Sequence, residues 1–144
     1  MRCLTLALVA LPLLAVPALA QSINQKICIF ESARRLPSLP DARIAASSAK
    51  RIDKVQTVAK LAASGDLKSV AAKLGAADKL TAASSGMPTS YSLPDPAVAL
   101  ASAISESMAV DLDVMAAAQK ATFSFTCLIG TNGAVHATFD GILR

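Results

Sequence analysis

Few side chains in this 144-residue chain could do chemistry, and their types and spacing come first. His136 is the only histidine. An imidazole can act as a general base when a carboxylate orients it, and Asp140 would lie two residue-steps away on the same strand face. That pair would suit a small hydrolase or isomerase. No motif places a serine or cysteine nucleophile beside it, and an exposed strand histidine is the plainer reading. Asp111 and Asp113 would share a face if their segment is a strand. Two close carboxylates can hold a hard cation or form an acid–base pair. No calcium-loop pattern or glycine turn accompanies them, so a solvated acidic face is expected. One histidine and distant cysteines give no metal-ligand spacing. Phosphate-loop, nucleophile-elbow and haem-attachment motifs are absent from the sequence, and no cofactor is expected.

The cysteines are read through the N-terminus. Arg2 forms a positive n-region, an apolar run extends from Leu4 to about Leu14, and Ala18-Leu19-Ala20 offers small residues before Gln21. This is the pattern of a cleavable signal peptide spanning residues 1–20. A spanning helix needs about 20 apolar residues; this run is shorter and contains Pro12 and Pro17. No later segment is long and apolar enough to span. Cleavage removes Cys3 and leaves Cys28 and Cys127 in an oxidising compartment, periplasmic or extracellular, where an even pair reads as a disulfide. Closing a loop of about 100 residues would stabilise the fold by roughly 4–5 kcal/mol in the chain-entropy model. Two separate thiols or a redox pair are the alternatives, and no Cys-x-x-Cys spacing supports the second.

Removing residues 1–20 also changes the composition. Sixteen of those twenty are hydrophobic, so the mean hydropathy of +0.50 overstates how apolar the exported domain is. Residues 21–144 form one small domain with 25 alanines, four phenylalanines, one tyrosine and no tryptophan. A thin core is expected, and the disulfide would support it.

Charge is unevenly placed. From Arg34 to Lys79 there are ten basic and four acidic residues; from Asp95 to Asp140 there are five acidic and one basic. The basic half could meet an anionic partner through Lys50, Arg51, Lys54, Lys60, Lys68 and Lys73, or the two halves could attract one another within the fold. These cations are interleaved with small residues and no aromatics, unlike single-stranded nucleic-acid sites. An exported protein therefore points toward an anionic envelope polymer, a lipid head-group or a protein partner, and nucleic acid is not expected.

The elements that must position these groups read as follows. Residues 23–36 form a helix with Ile23, Ile27, Phe30 and Arg34 on one side, stopped by Pro37. Asp41 caps a second helix whose stripe runs Ile44, Ser48, Ile52, Val55, Ala59 and Ala62 until Gly65 ends it. Asp66 can cap a shorter helix with Leu67, Val70, Ala71 and Leu74 on its apolar face. Residues 84–96 form an irregular connection. Asp95-Pro96 starts a helix continuing through Leu100, Ile104 and Met108. Residues 109–115 read equally as a third strand or a frayed helix end.

The C-terminus reads as a hairpin, with Phe123, Phe125, Cys127 and Ile129 alternating with polar residues and Val135, Ala137 and Phe139 doing the same. A three-residue Thr131-Asn132-Gly133 loop pairs Ile129 with Val135, Cys127 with Ala137 and Phe125 with Phe139 on one apolar face. The expected fold class is α+β: a helical N-terminal two-thirds packed against a C-terminal antiparallel hairpin, pinned by Cys28–Cys127. The expected function is a non-catalytic exported interaction or structural module.

Overall fold

The computed structural model describes residues 21–84 and 96–143. The signal-peptide reading and the 84–96 connection, with Asp95 as a cap, fall on residues outside these apart from Ser84 and Pro96. The fold is α+β and contains the Cys28–Cys127 disulfide, with Cα atoms 5.7 Å apart. Its centre is a four-stranded antiparallel sheet in the order β1-β2-β3-β4, formed by Arg43–Ile52, Ile104–Ala116, Gln119–Gly130 and Val135–Leu143. The helices are α1 (Ile23–Ala33), α2 (Lys54–Ser64), α3 (Leu67–Lys73), α4 (Ala77–Ser84) and α5 (Pro96–Ala103).

This corrects the expected helical two-thirds with a terminal hairpin. The segment 43–52, read as the front of a long helix, is an edge strand paired with β2 from Arg43↔Met115 to Ile52↔Ser107. Its alanines and serines leave local preference indecisive. The outer edge of β2 decides, because the backbone groups beside buried Val110 and Leu112 need partners. Asp41 is therefore no helix cap; it turns the chain into β1 with φ of 59°. Asp53 caps the shortened α2 instead, accepting from the Val55 and Gln56 amides at 2.7 and 3.0 Å.

Residues 109–115 lie within β2, which begins directly after α5, so Ile104 and Met108 are strand residues rather than a continuation of that helix. The hairpin register is as the alternation indicates: Ile129↔Val135, Cys127↔Ala137 and Phe125↔Phe139. Gly133 takes the left-handed conformation, φ 84°, that the three-residue loop requires.

Helix α1 crosses one face of the sheet. It opens on a capping box, in which Ser22 Oγ accepts from the Gln25 amide and the Gln25 side chain accepts from the Ser22 amide. The expected apolar side is the wrong one: Ile23 and Phe30 are 74% and 66% exposed, while Cys28 and Ser32 are buried. The covalent link to β3 fixes which side of α1 faces the sheet. Cys28 then packs with Met108, Val110, Leu112, Phe123, Phe125 and Cys127.

Helices α2–α5 gather at the end of the sheet where β2 starts and β3 finishes. Val58, Val70, Ala71, Leu74, Leu80 and Leu100 close there over Ile104 and Leu128. Gly65 ends α2 in the left-handed conformation, φ 80°. The β3–β4 turn ties this layer to the sheet. Asn132 Nδ2 donates to the Leu74 carbonyl at 2.9 Å, and the Thr131 amide donates to the Ala103 carbonyl at 2.9 Å. A Cβ on Gly130 would meet Asn132 Oδ1 at 2.6 Å, so a side chain there would displace the Asn132 amide.

Candidate functional site

Successive strand residues point to opposite faces, which separates two neighbouring cations of the sequence. Arg51 pairs with Met108 and shares the α1 face of the sheet. Lys50 lies in the row of Ala109, Thr126 and Thr138 on the other face. Where β1 ends and α2 begins, the chain bends over the start of β2. There Arg51, Ile52 and Lys54 join Ser105, Glu106 and Ser107 around a pocket of about 230 Å³.

The polar groups of this pocket are ordered. Arg51 Nη2 pairs with Glu106 Oε1, while Glu106 Oε2 accepts from Asn24 Nδ2 at 2.7 Å. Glu106 is therefore anchored from α1 and would stay in place if the guanidinium turned to a ligand. The Arg51 side chain is 70% exposed, so its pair with Glu106 is screened and contributes little to stability. Lys54 Nζ donates to the Ile104 carbonyl at 3.0 Å, which leaves two of its three ammonium hydrogens for another acceptor. Ser105 and Ser107 donate to the Ile129 and Ile52 carbonyls at 3.0 and 2.9 Å. The donors directed at the pocket are thus Arg51 and Lys54, two cations against one carboxylate. A guanidinium fork with an ammonium beside it matches a phosphate, sulfate or carboxylate.

The other basic residues of the sequence reading sit elsewhere. Lys60 lines a separate cleft between α2 and the opposite sheet face. Lys68 and Lys73 are exposed on α3. Lys50, Lys60, Lys68 and Lys73 form no ion pair among the described residues. Arg51–Glu106 is there the one ion pair joining the basic half of the sequence to the acidic half.

His136 departs from the expected exposed strand position. It is 6% exposed, in the row of Leu128 next to α3. Burial pushes its pKa below the ordinary histidine range, helped by the positive charges of Arg35 and Lys73 and opposed by Glu31. Its Nε2 lies 3.3 Å from Thr138 Oγ1. Asp140 turns to a different hydroxyl, accepting from Thr126 Oγ1 at 2.7 Å.

Asp111 and Asp113 do share a face of β2. Each accepts a hydroxyl from β3, Ser124 and Thr122 respectively, both at 2.6 Å. Lys120 approaches Asp113 Oδ2 at 2.9 Å, and these bonds hold the Asp113 carboxyl below its usual range. Among the described residues no group of three or more His, Cys, Asp or Glu side chains is placed to hold a metal ion. No described helix is long and apolar enough to cross a membrane.

Asn24, Ser105, Glu106 and Ser107 carried no signal in the sequence, because they meet Arg51 only when β1 pairs with β2. Comparison of the chain with protein-family models, with curated proteins and with solved structures gives no match in any of the three.

Proposed function

We propose that the protein is an exported, non-catalytic binding module that contacts an anionic group of an envelope polymer through the Arg51–Lys54 pocket. The observation that carries this reading is the convergence of two cations, one of them highly exposed, on a single concavity with one anchored carboxylate. Export rests on the signal-peptide pattern of residues 1–20, with cleavage before Gln21. A disulfide spanning 99 residues of sequence is in keeping with an oxidising compartment.

Chromatography of the disulfide-bonded protein on a sulfated polysaccharide matrix and on an uncharged, sugar-free resin tests the reading. Retention on the sulfated matrix that disappears with added salt is expected. Equal retention on both matrices at low salt would overturn it. Mass analysis of the exported protein checks the address: it should begin at Gln21 and weigh two hydrogens less than its free-thiol form.

A further inference from the structure

Beside the anion pocket, and sharing Ile52 with it, lies a second and larger concavity of about 350 Å³. One wall is α2, through Thr57, Lys60, Leu61 and Ser64. The other is the sheet face turned away from α1, through Thr126, Leu128, Thr138 and Asp140. Its volume falls at the lower end of ligand sites, about 300–1,000 Å³. That leaves room for a small cyclic unit.

The chemistry of the lining narrows the ligand. Ile52 and Leu61 supply an aliphatic surface, with Leu128 buried behind it, and Lys60, Asp66 and Asp140 supply the charges. Each carboxylate is held by one hydroxyl: Asp140 by Thr126 and Asp66 by Ser64, both at 2.7 Å. A carboxylate has about four acceptor positions, so both retain capacity for ligand donors. Lys60 is in no ion pair among the described residues and can donate.

Two carboxylates against one ammonium repel an anion, unlike the neighbouring pocket. A purely apolar ligand would leave these charged groups without partners, at a cost. A ring with an apolar C–H side and a rim of hydroxyls fits both parts of the lining. Its hydroxyls donate to the carboxylates and accept from Lys60.

We propose that the cleft between α2 and strands β3–β4 binds a neutral pyranose unit of a polysaccharide, with Asp140, Asp66 and Lys60 on its hydroxyls and Ile52 and Leu61 beneath its ring. This deepens the reading of the protein as a binding module, since a polymer crossing Ile52 would place a sugar in the cleft and its anionic substituent at Arg51 and Lys54.

Amide chemical shifts of the disulfide-bonded protein, titrated separately with cellobiose, di-N-acetylchitobiose, putrescine and inorganic phosphate at millimolar concentration, test it. One of the disaccharides should shift amides of residues 57–66, 126–128 and 138–140. Asp140→Asn and Lys60→Ala should each weaken that binding by about tenfold, the size expected for one hydrogen bond to a charged group. No shift with either disaccharide, cleft shifts with putrescine or phosphate alone, or unchanged affinity in both variants would overturn the sugar site. Sugar binding without retention on the sulfated matrix would support the cleft while removing the anion reading.

Discussion

Around the disulfide, α1 and the sheet bury two phenylalanines, Met108, Val110, Leu112 and the cystine itself, whereas α2–α5 close over leucines, valines and small alanines. The first cluster is crossed by a covalent link and by long strand ladders. The second is held by short helices and by two ties from the β3–β4 turn, Asn132 to the Leu74 carbonyl and the Thr131 amide to the Ala103 carbonyl. The difference shows how an alanine-rich chain with few aromatics makes a domain. It concentrates its large side chains on one sheet face and hangs a lighter helical layer on the end. Both candidate concavities lie where that layer meets the sheet, with Ile52 in each wall.

Removing the covalent link should have one of the largest effects. The Cys28→Ser, Cys127→Ser double variant should lose about 4 kcal/mol of stability in urea unfolding, given the 99-residue separation. A loss below about 1 kcal/mol would mean that the sheet-side cluster does not depend on the bridge.

Truncations within the clusters come next. Phe125→Ala and Leu100→Ala remove buried side chains from the first and second cluster, and each should cost about 3–5 kcal/mol. Native-state hydrogen exchange would sharpen the contrast. Amides of α2–α5 should open at lower free energy than those of β2 and β3. One common opening energy for both regions would erase the distinction.

Asn132→Ala should cost about 1–2 kcal/mol by freeing the Leu74 carbonyl. Protection should fall in α3 and α5 more than in β2. A uniform fall would show that the turn does not couple the layers specifically.

Acidification probes the same seam. Folding lowers the pKa of His136 through burial, with Arg35 and Lys73 adding repulsion and Glu31 opposing it. The unfolded chain therefore takes up this proton first. The contribution is fully present above about pH 6.5 and is lost as pH falls toward the folded pKa. Asp113, lowered by its bonds to Lys120 and Thr122, acts in the same direction below about pH 4. Urea midpoints should fall steadily from neutral to acid pH; a rise between pH 7 and 5 would contradict the buried-histidine account.

The smallest effect is expected at Ser32, whose buried hydroxyl has no hydrogen-bond partner among the described residues. Ser32→Ala should leave stability unchanged or raise it by about 1 kcal/mol, as a thermal melt would record.

The legible parts of the fold carried their own local chemistry. Alternation over 122–140 and the left-handed demand at Gly133 were enough to set the β3–β4 register. Gly65 marked the end of α2. Strand β1 was illegible because an alanine- and serine-rich edge strand takes its conformation from the strand it pairs with. Apolar spacing alone selects the exposed side of α1 because it ignores the tether at Cys28. Alternation places His136 on the polar face, but α3 packs against β4 and His136 is buried, which periodicity cannot reveal. Sequence order alone groups the basic residues as one run. Strand geometry instead separates Lys50 from Arg51, and the bend after Ile52 returns Lys54 to the side of Arg51.

That regrouping carries the functional claim, and it can be tested by dividing the cations. Retention on a sulfated polysaccharide matrix should be compared for the unmodified protein, Arg51→Ala/Lys54→Ala and Lys68→Ala/Lys73→Ala, each of the two variants having lost two positive charges. The pocket account predicts that the first variant elutes at much lower salt while the second stays close to the unmodified protein. Equal shifts in both, or a larger shift in the second, would contradict it.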